Sequence, residues 1–435
     1  MTDQSGAVTA DAPTNTPHRG GGGVLGPLRY RDYRLLFFGQ LISALGDSFY
    51  AVALPWYMLT QGGGPANLGL ALTAYGVPMG AMSLLGGWLS DKLRARRVML
   101  ISDFARIFVV GALAWVTFGT HAPLWEIAAL TATLGVFDGL FMPASMAVAP
   151  DLLPDDQLQA ANGMYFGLMR LATMVGPALG GLVVSQVSSS AAFVVDASTF
   201  AISTATLLFI RNRVTFTQTS DAQAPTASVE GNGAPDVADA HHNSLWRFAL
   251  SAPYVLVVLL VAIIGNMLNG AVFQVAIPSL AQGPLHAGAL GYGLIDGAFG
   301  GGMLLGSLLA GALGNRISRG IYALHFYAFQ AVTIAALALA ISLWMAIGLM
   351  ILTGLFNGVA NVTFLTLLQR RLPRNFLGRV MGALMFANFA TLPLSAALGG
   401  FATAKFGPAP IIVVGACILL VAILIGYSSR DLREM

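Results

Sequence analysis

Long apolar runs separated by short polar joints make up most of this chain. They fall at residues 33–60, 67–90, 98–119, 123–149, 160–186 and 190–210, and again at 250–281, 287–313, 320–340, 343–369, 376–402 and 408–427. Several exceed the roughly 18 residues that let a helix cross a bilayer. Between the sixth and seventh runs lies a polar stretch with Asp221, Glu230, Asp236 and Asp239 and no cation between Arg213 and Arg247. The pattern predicts an all-α integral membrane protein of 12 transmembrane helices, six plus six. Residues 1–28, rich in Thr, Pro, Ala and Gly, lack the cation-then-apolar-then-small order of a cleaved signal peptide and predict a disordered cytoplasmic lead. The expected domains are that lead, a first bundle over 29–213, a cytoplasmic linker over 214–247, a second bundle over 248–428 and a cytoplasmic tail over 429–435.

Two internal repeats support the division. Gly87–Arg97 reads GWLSDKLRARR, and 224 positions later Gly311–Arg319 reads GALGNRISR: glycine, leucine two residues on, then Asp91 or Asn315, then Lys92 or Arg316. A second pair aligns without gaps at an offset of 219, from Leu153 and from Leu372, matching Pro154 with Pro373, Gly163 with Gly382, and Gly180–Gly181 with Gly399–Gly400. Equivalent spans therefore run in the same direction. That is the parallel repeat of transporters, with a pseudo-two-fold axis along the membrane normal and a central site between two bundles.

Charge fixes the expected orientation. With both termini cytoplasmic, 19 of the 22 cations fall on inward segments, Lys405 alone lies outward, and Arg106 and Arg170 fall within spans. This is the bias of the positive-inside rule, and an odd number of spans would scramble it. The net charge of +3 thus follows topology and is no sign of a nucleic-acid partner. Only 9% of residues are charged and 56% are hydrophobic, against about 25% charged in soluble domains. The single cysteine, Cys417, offers no disulfide or thiolate metal site. The linker pair His241-His242 lacks the spaced partners that a metal needs, so no metal site is expected. No G-x-x-x-x-G-K-[ST] loop is present, so the chain is not expected to hydrolyse ATP, to use a cofactor or to be an enzyme.

A charge inside a span costs roughly 2.5–3.5 kcal/mol at the helix centre, so each one needs a reason. Asp47, between Gly46 and Ser48, lies about 20 Å along span 1 from Arg34 at 1.5 Å per residue. It could take up and release a proton as access alternates, or be fixed by hydrogen bonds to a neighbouring helix. Asp138 in GVFDGLFMP sits mid-span 4, facing either Asp47 or Arg170; Arg170, ten residues into span 5, is expected to pair with a buried acid. Asp296 in span 8 and Asp196 near the outer end of span 6 are weaker candidates. Asp103 and Arg106 form an i,i+3 pair expected to latch to the Gly87–Arg97 loop. Asn266, Asn269 and Gln274 in span 7, with Asn357 and Asn361 in span 10, offer uncharged hydrogen-bonding groups for a substrate cavity or for helix-to-helix contact.

With these residues in view, residues 30–430 resemble the major facilitator superfamily. The loop Gly87–Arg97 is similar to its signature between helices 2 and 3, except that Arg94 stands where a second glycine is usual and the later cations are shifted by one. Gly176-Pro177-Ala178-Leu179-Gly180-Gly181 resembles the motif of its antiporters in helix 5. RDYRLLFFGQLISALGDSFYAVALP at Arg31–Pro55 and APDLLPDDQLQAANG at Ala149–Gly163 are similar to the drug:proton antiporter branch that includes macrolide and enterobactin exporters; the span 4 arginine of other drug-exporting branches is absent. The resemblance implies a multi-pass cell-membrane protein, acting as a monomer, that exports a small amphipathic organic compound in exchange for protons. Uptake on the same scaffold, and a non-transporting receptor, are the competing readings. Gly87, Asp91, Arg97, Asn315 and Arg316 are expected to act as a conformational gate, with Asp91 meeting the N-terminus of span 11 near Arg374–Arg379. Gly176, Pro177, Gly180 and Gly181 are expected to seal the path against leak or to pack closely.

Overall fold

A computed structural model of the chain describes residues 25–119, 122–211, 260, 263–317, 320–371 and 374–428, without the side chains of 91, 315, 371, 374–379 and 381–390. Twelve long helices are present among the described residues. The first half holds α1 (Arg31–Thr60), α2 (Pro65–Leu93), α3 (Ala95–Phe118), α4 (Leu124–Ala147), α5 (Asp155–Gln186) and α6 (Ser189–Phe209). The second holds α7 (Ile263–Gln282), α8 (Gly288–Leu313), α9 (Gly320–Leu337), α10 (Leu343–Arg371), α11 (Arg374–Phe406) and α12 (Pro408–Ser428). Eleven of them are long and apolar enough to cross a membrane, and α11 is the twelfth helix.

The helix starts follow local chemistry. Pro65 and Pro408 sit at first helical positions, where a missing N–H costs nothing. Asp155 and Asp156 complement the dipole at the start of α5, and Ser188 Oγ accepts the Ala191 N–H at 3.0 Å to cap α6. Trp115, Phe118, Trp125, Ile341 and Trp344 are exposed together at the end away from the chain's described start. Such a ring of bare aromatic and aliphatic side chains suits a lipid–water boundary. Within α7, residues Asn269–Ala276 widen into a π-helical segment.

Each half has its own core, one around Leu54, Tyr57, Phe193 and Phe200, the other around Val272, Leu280, Tyr292 and Met350. The halves meet where α2 packs on α11 and α5 on α8, with Val52 of α1 reaching into the second core. Among the described residues these meetings run from the far end to the middle of the spans, where Arg170 meets Met303. Thr73 Oγ1 donates to the Pro393 carbonyl at 2.8 Å, and a Cβ on Gly181 would come within 2.6 Å of the Ala289 carbonyl. Along the same helices toward the cationic end, Gly87, Gly163, Gly167 and Gly311 meet no described atom within 4 Å.

The described helices match the expected apolar runs to within a few residues. One expectation does not hold: disorder through residue 28. Gly26–Arg29 form a 3₁₀ turn with Gly26 and Pro27 buried, because glycine lets the chain lie against Gln157 of α5. The linker over 214–247 with His241-His242, the tail over 429–435 and most of the 250–262 stretch lie outside the described residues.

Candidate functional site

The site grows out of close contact between α1 and its neighbours. Gly46 admits the side chains of Asp196 and Thr199 from α6, and Ser48 faces α5, where Gly176 leaves room for it and the Ala172 carbonyl accepts from it at 3.3 Å. Between those two buried positions Asp47 is exposed on α1. A Cβ on Gly180 would lie 3.0 Å from Phe49 Cα, so Gly176 and Gly180 pack on α1. Gly181 and Pro177 instead face α8, the Pro177 carbonyl touching Gly293.

Behind Asp47 lies a buried ionic network. Arg106 on α3 bonds Asp138 on α4 at 2.6 Å and Asp103 at 3.2 Å. Tyr75 of α2 donates to the other oxygen of Asp138 at 2.7 Å, and Ser203 of α6 donates to Asp103 at 2.7 Å. The guanidinium lies 4.1 Å from the Phe141 ring centre and 5.2 Å from that of Phe200, which suits a desolvated arginine. Asp103 and Asp138 therefore share one buried guanidinium.

Several expectations need correction. Asp103 and Arg106 do form their pair, but Arg106 turns into the bundle toward Asp138 and not to the Gly87–Arg97 loop. The cause is that a buried guanidinium needs carboxylates on more than one side. Arg170 pairs with no acid among the described residues. It is exposed, and its Nη1 lies 3.0 Å from the sulfur of Met303 across the junction of α5 and α8. Asp138 already has its cation in Arg106.

The remaining candidates are placed as follows. Asp296 is half-buried on α8, near Tyr292. Asn357 donates to Gln330 at 3.3 Å and so ties α10 to α9, with Thr353 donating to Thr333 at 2.8 Å nearby. Asn269 and Asn361 are exposed, and Asn266 and Gln274 half-buried. Arg97 and Arg316 are exposed at the cationic end. The backbone of Asp91 is helical and that of Asn315 lies in a 3₁₀ turn, while their side chains and those of Arg374–Arg379 fall outside the description. Arg94 takes φ 70°, a conformation natural to glycine.

The model of the Major Facilitator Superfamily matches residues 36–275 and 259–434. The chain belongs to that superfamily. Among its relatives, the "Multidrug efflux pump Tap" of Mycolicibacterium fortuitum is 26% identical over 380 residues, covering 84% of this chain and 88% of that protein. The "Enterobactin exporter EntS" of Citrobacter koseri is 24% identical over 409 residues, 92% of each. The nucleoside transporter NupG shares the fold, with a TM-score of 0.71 at 13% identity over 92% of this chain and 99% of that one. This superfamily member is a multi-pass membrane transporter and fits the drug-efflux branch.

Arg106 and Asp103 are the network members that the spans alone undervalue. The internal repeat offered a signal. Arg106 stands 224 positions before Gln330 and Asp138 stands 219 before Asn357, the same two offsets that relate the repeated segments.

Proposed function

We propose that this transporter exports a small amphipathic organic compound from the cytoplasm in exchange for protons, with Asp47 the carboxyl that meets both. The observation that carries this reading is the buried Arg106 network with Asp103 and Asp138 in the first bundle, beside an α1 on which Asp47 is exposed. An accessible carboxyl in such a bundle can bind a proton when the site faces one side and give it up to the other. The efflux pump and the siderophore exporter among its relatives favour the outward direction and an amphipathic cargo.

The positive-inside bias supports cytoplasmic termini. In that orientation Gly87, Asp91 and Arg97 stand at the cytoplasmic end as the proposed gate, and Gly176, Pro177, Gly180 and Gly181 pack toward the outer half as the proposed seal. Asp296, Asn266, Asn269, Gln274, Asn357 and Asn361 line the second bundle's contribution to the cavity, and Arg170 stands at the seam.

Everted membrane vesicles test the coupling. Ethidium added to vesicles with an imposed proton gradient should collapse part of that gradient in the wild type. Asp47→Asn should reach the membrane in equal amount and abolish the ethidium-dependent proton movement. Undiminished coupling in Asp47→Asn removes Asp47 from the mechanism.

A further inference from the structure

Arg170 is the charge that proton exchange at Asp47 leaves without a task. It stands at the middle of α5, roughly 20 Å from either end at 1.5 Å per residue, so a lipid headgroup is out of its reach. A cation at that depth is costly, and no acid among the described residues pairs with it. The facing bundle offers little: between residues 248 and 428 Asp296 is the one carboxylate, and it lies about 10 Å along α8 from Met303. Among the described residues the guanidinium bonds only the Met303 sulfur, at 3.0 Å, and a thioether is a weak acceptor.

Contacts on both sides of α5 fix where this cation faces. Ala172, Gly176 and Gly180 lie against α1: the Ala172 carbonyl accepts from Ser48, and a Cβ on either glycine would meet Ser48 or Phe49. Pro177 and Gly181 lie against α8, where a Cβ on Gly297 would come within 2.7 Å of the Met174 carbonyl. At about 100° per residue, Phe166, Arg170 and Thr173 fall on the short arc that runs from the α1 contact to the α8 contact. All three are exposed there, while the exposed Leu171 and Leu182 lie on the long arc behind. The short arc faces the space between α1 and α8, which belong to different halves. A guanidinium presents five donors in a planar fork, and here one of them meets only sulfur beside an exposed aromatic ring. That combination suits a planar anion attached to an apolar body.

We propose that Arg170 receives an anionic group of the cargo, a carboxylate or a group of like geometry, which displaces the Met303 sulfur while Phe166 takes the adjoining apolar surface. Arg170 is then a specificity-determining residue that selects acidic amphiphiles, and a cationic cargo gains nothing from it. This rests on the export reading above and names a substrate class for it.

Two xanthene dyes of similar shape and opposite charge, fluorescein and rhodamine 6G, test this by fluorescence anisotropy on the purified full-length protein in phosphatidylcholine nanodiscs. The wild type should bind fluorescein, and Arg170→Gln should weaken that binding about tenfold or more. Arg170→Lys should restore part of the loss. Met303→Glu sets a carboxylate beside the guanidinium and should abolish fluorescein binding with Arg170 still in place. Wild-type protein that does not bind fluorescein overturns the proposal, as does an equal loss of both dyes in Arg170→Gln or no loss of fluorescein. Should Arg170→Gln not fold, Met303→Glu decides: fluorescein bound as in the wild type overturns the proposal. The export reading fails separately. Fluorescein bound through Arg170, with neither dye nor ethidium moved by wild-type vesicles, would keep the anion site and sink the exporter.

Discussion

In the first half of the molecule α3 and α4 meet through Arg106 and Asp138, 2.6 Å apart and ionic. In the second half their counterparts α9 and α10 meet through Gln330 and Asn357, 3.3 Å apart and neutral. Elsewhere along the repeat the charge is simply absent: Asp196 is matched at the offset of 219 by Gly415, which packs on Leu268 and Val272. Both halves keep a polar tie between the same two helices, so the tie is part of the scaffold. Only one keeps it charged, and a charge in a bilayer is far costlier than an amide. Helix packing alone does not require the ionic version, since the amide version holds α9 to α10. The ionic tie of the first half is therefore the place to test the proposed proton coupling first.

The largest expected effect comes from breaking each tie singly. Arg106→Ala leaves Asp103 and Asp138 buried without a cation and should cost about 3–5 kcal/mol. Gln330→Ala removes one neutral hydrogen bond and should cost about 1–3 kcal/mol, the price of an unsatisfied amide. Thermal melting of the two purified variants in detergent checks the ranking, and equal losses would erase the distinction between the halves. The transplant Arg106→Gln with Asp138→Asn installs the neutral tie in the first half. It should recover most of the stability that Arg106→Ala loses while abolishing proton-linked efflux in everted vesicles.

Much of this was legible in the residues. The apolar runs and the cation bias gave twelve helices and their grouping, because a bilayer tolerates few alternatives to long apolar helices. Asp47 was legible because small neighbours flank a charge mid-span. Arg106 was not, because its position near one end of α3 says nothing about the direction in which a long side chain turns, and the nearby loop offered an equally good partner. Arg170 erred the other way: its depth implied a buried acid, but it lies on the face of α5 turned to the other half, where the cleft leaves it exposed. Depth along a span can be read from spacing. The facing of a side chain between helices cannot, until the bundle is assembled.

If the halves move as two bodies, their shared seam should respond to bulk at one end only. Gly293→Leu would drive a side chain into the Pro177 carbonyl, an overpacking worth about 1–3 kcal/mol against the far-end-closed arrangement. Spin labels on exposed Ser185 and Ile341, with Cys417 replaced, should then report longer far-end distances than in the parent. Gly87→Leu meets no described atom in this arrangement and should leave those distances unchanged. Lengthening in both variants would mean that the seam is not hinged as two bodies.

The smallest effect lies in the paired loops after α2 and α8. In the second copy the positive backbone angle falls on Gly314, φ 48°, with open space around it. In the first it falls on Arg94, φ 70°, where a Cβ is strained by about 1–3 kcal/mol. An arginine held there against its own preference has to be kept by its surroundings, whereas Gly314 needs no such support. Arg94→Gly should raise the melting temperature, by the equivalent of about 1 kcal/mol, and Gly314→Ala should lower it by a similar amount. If the strain belongs to one arrangement of the transport cycle, Arg94→Gly should also lengthen the time spent in it, and spin labels across the cationic end read this directly. A stabilised Arg94→Gly variant with unchanged label distances would mean that the strain is carried equally through the transport cycle and that the two loops differ in stability alone.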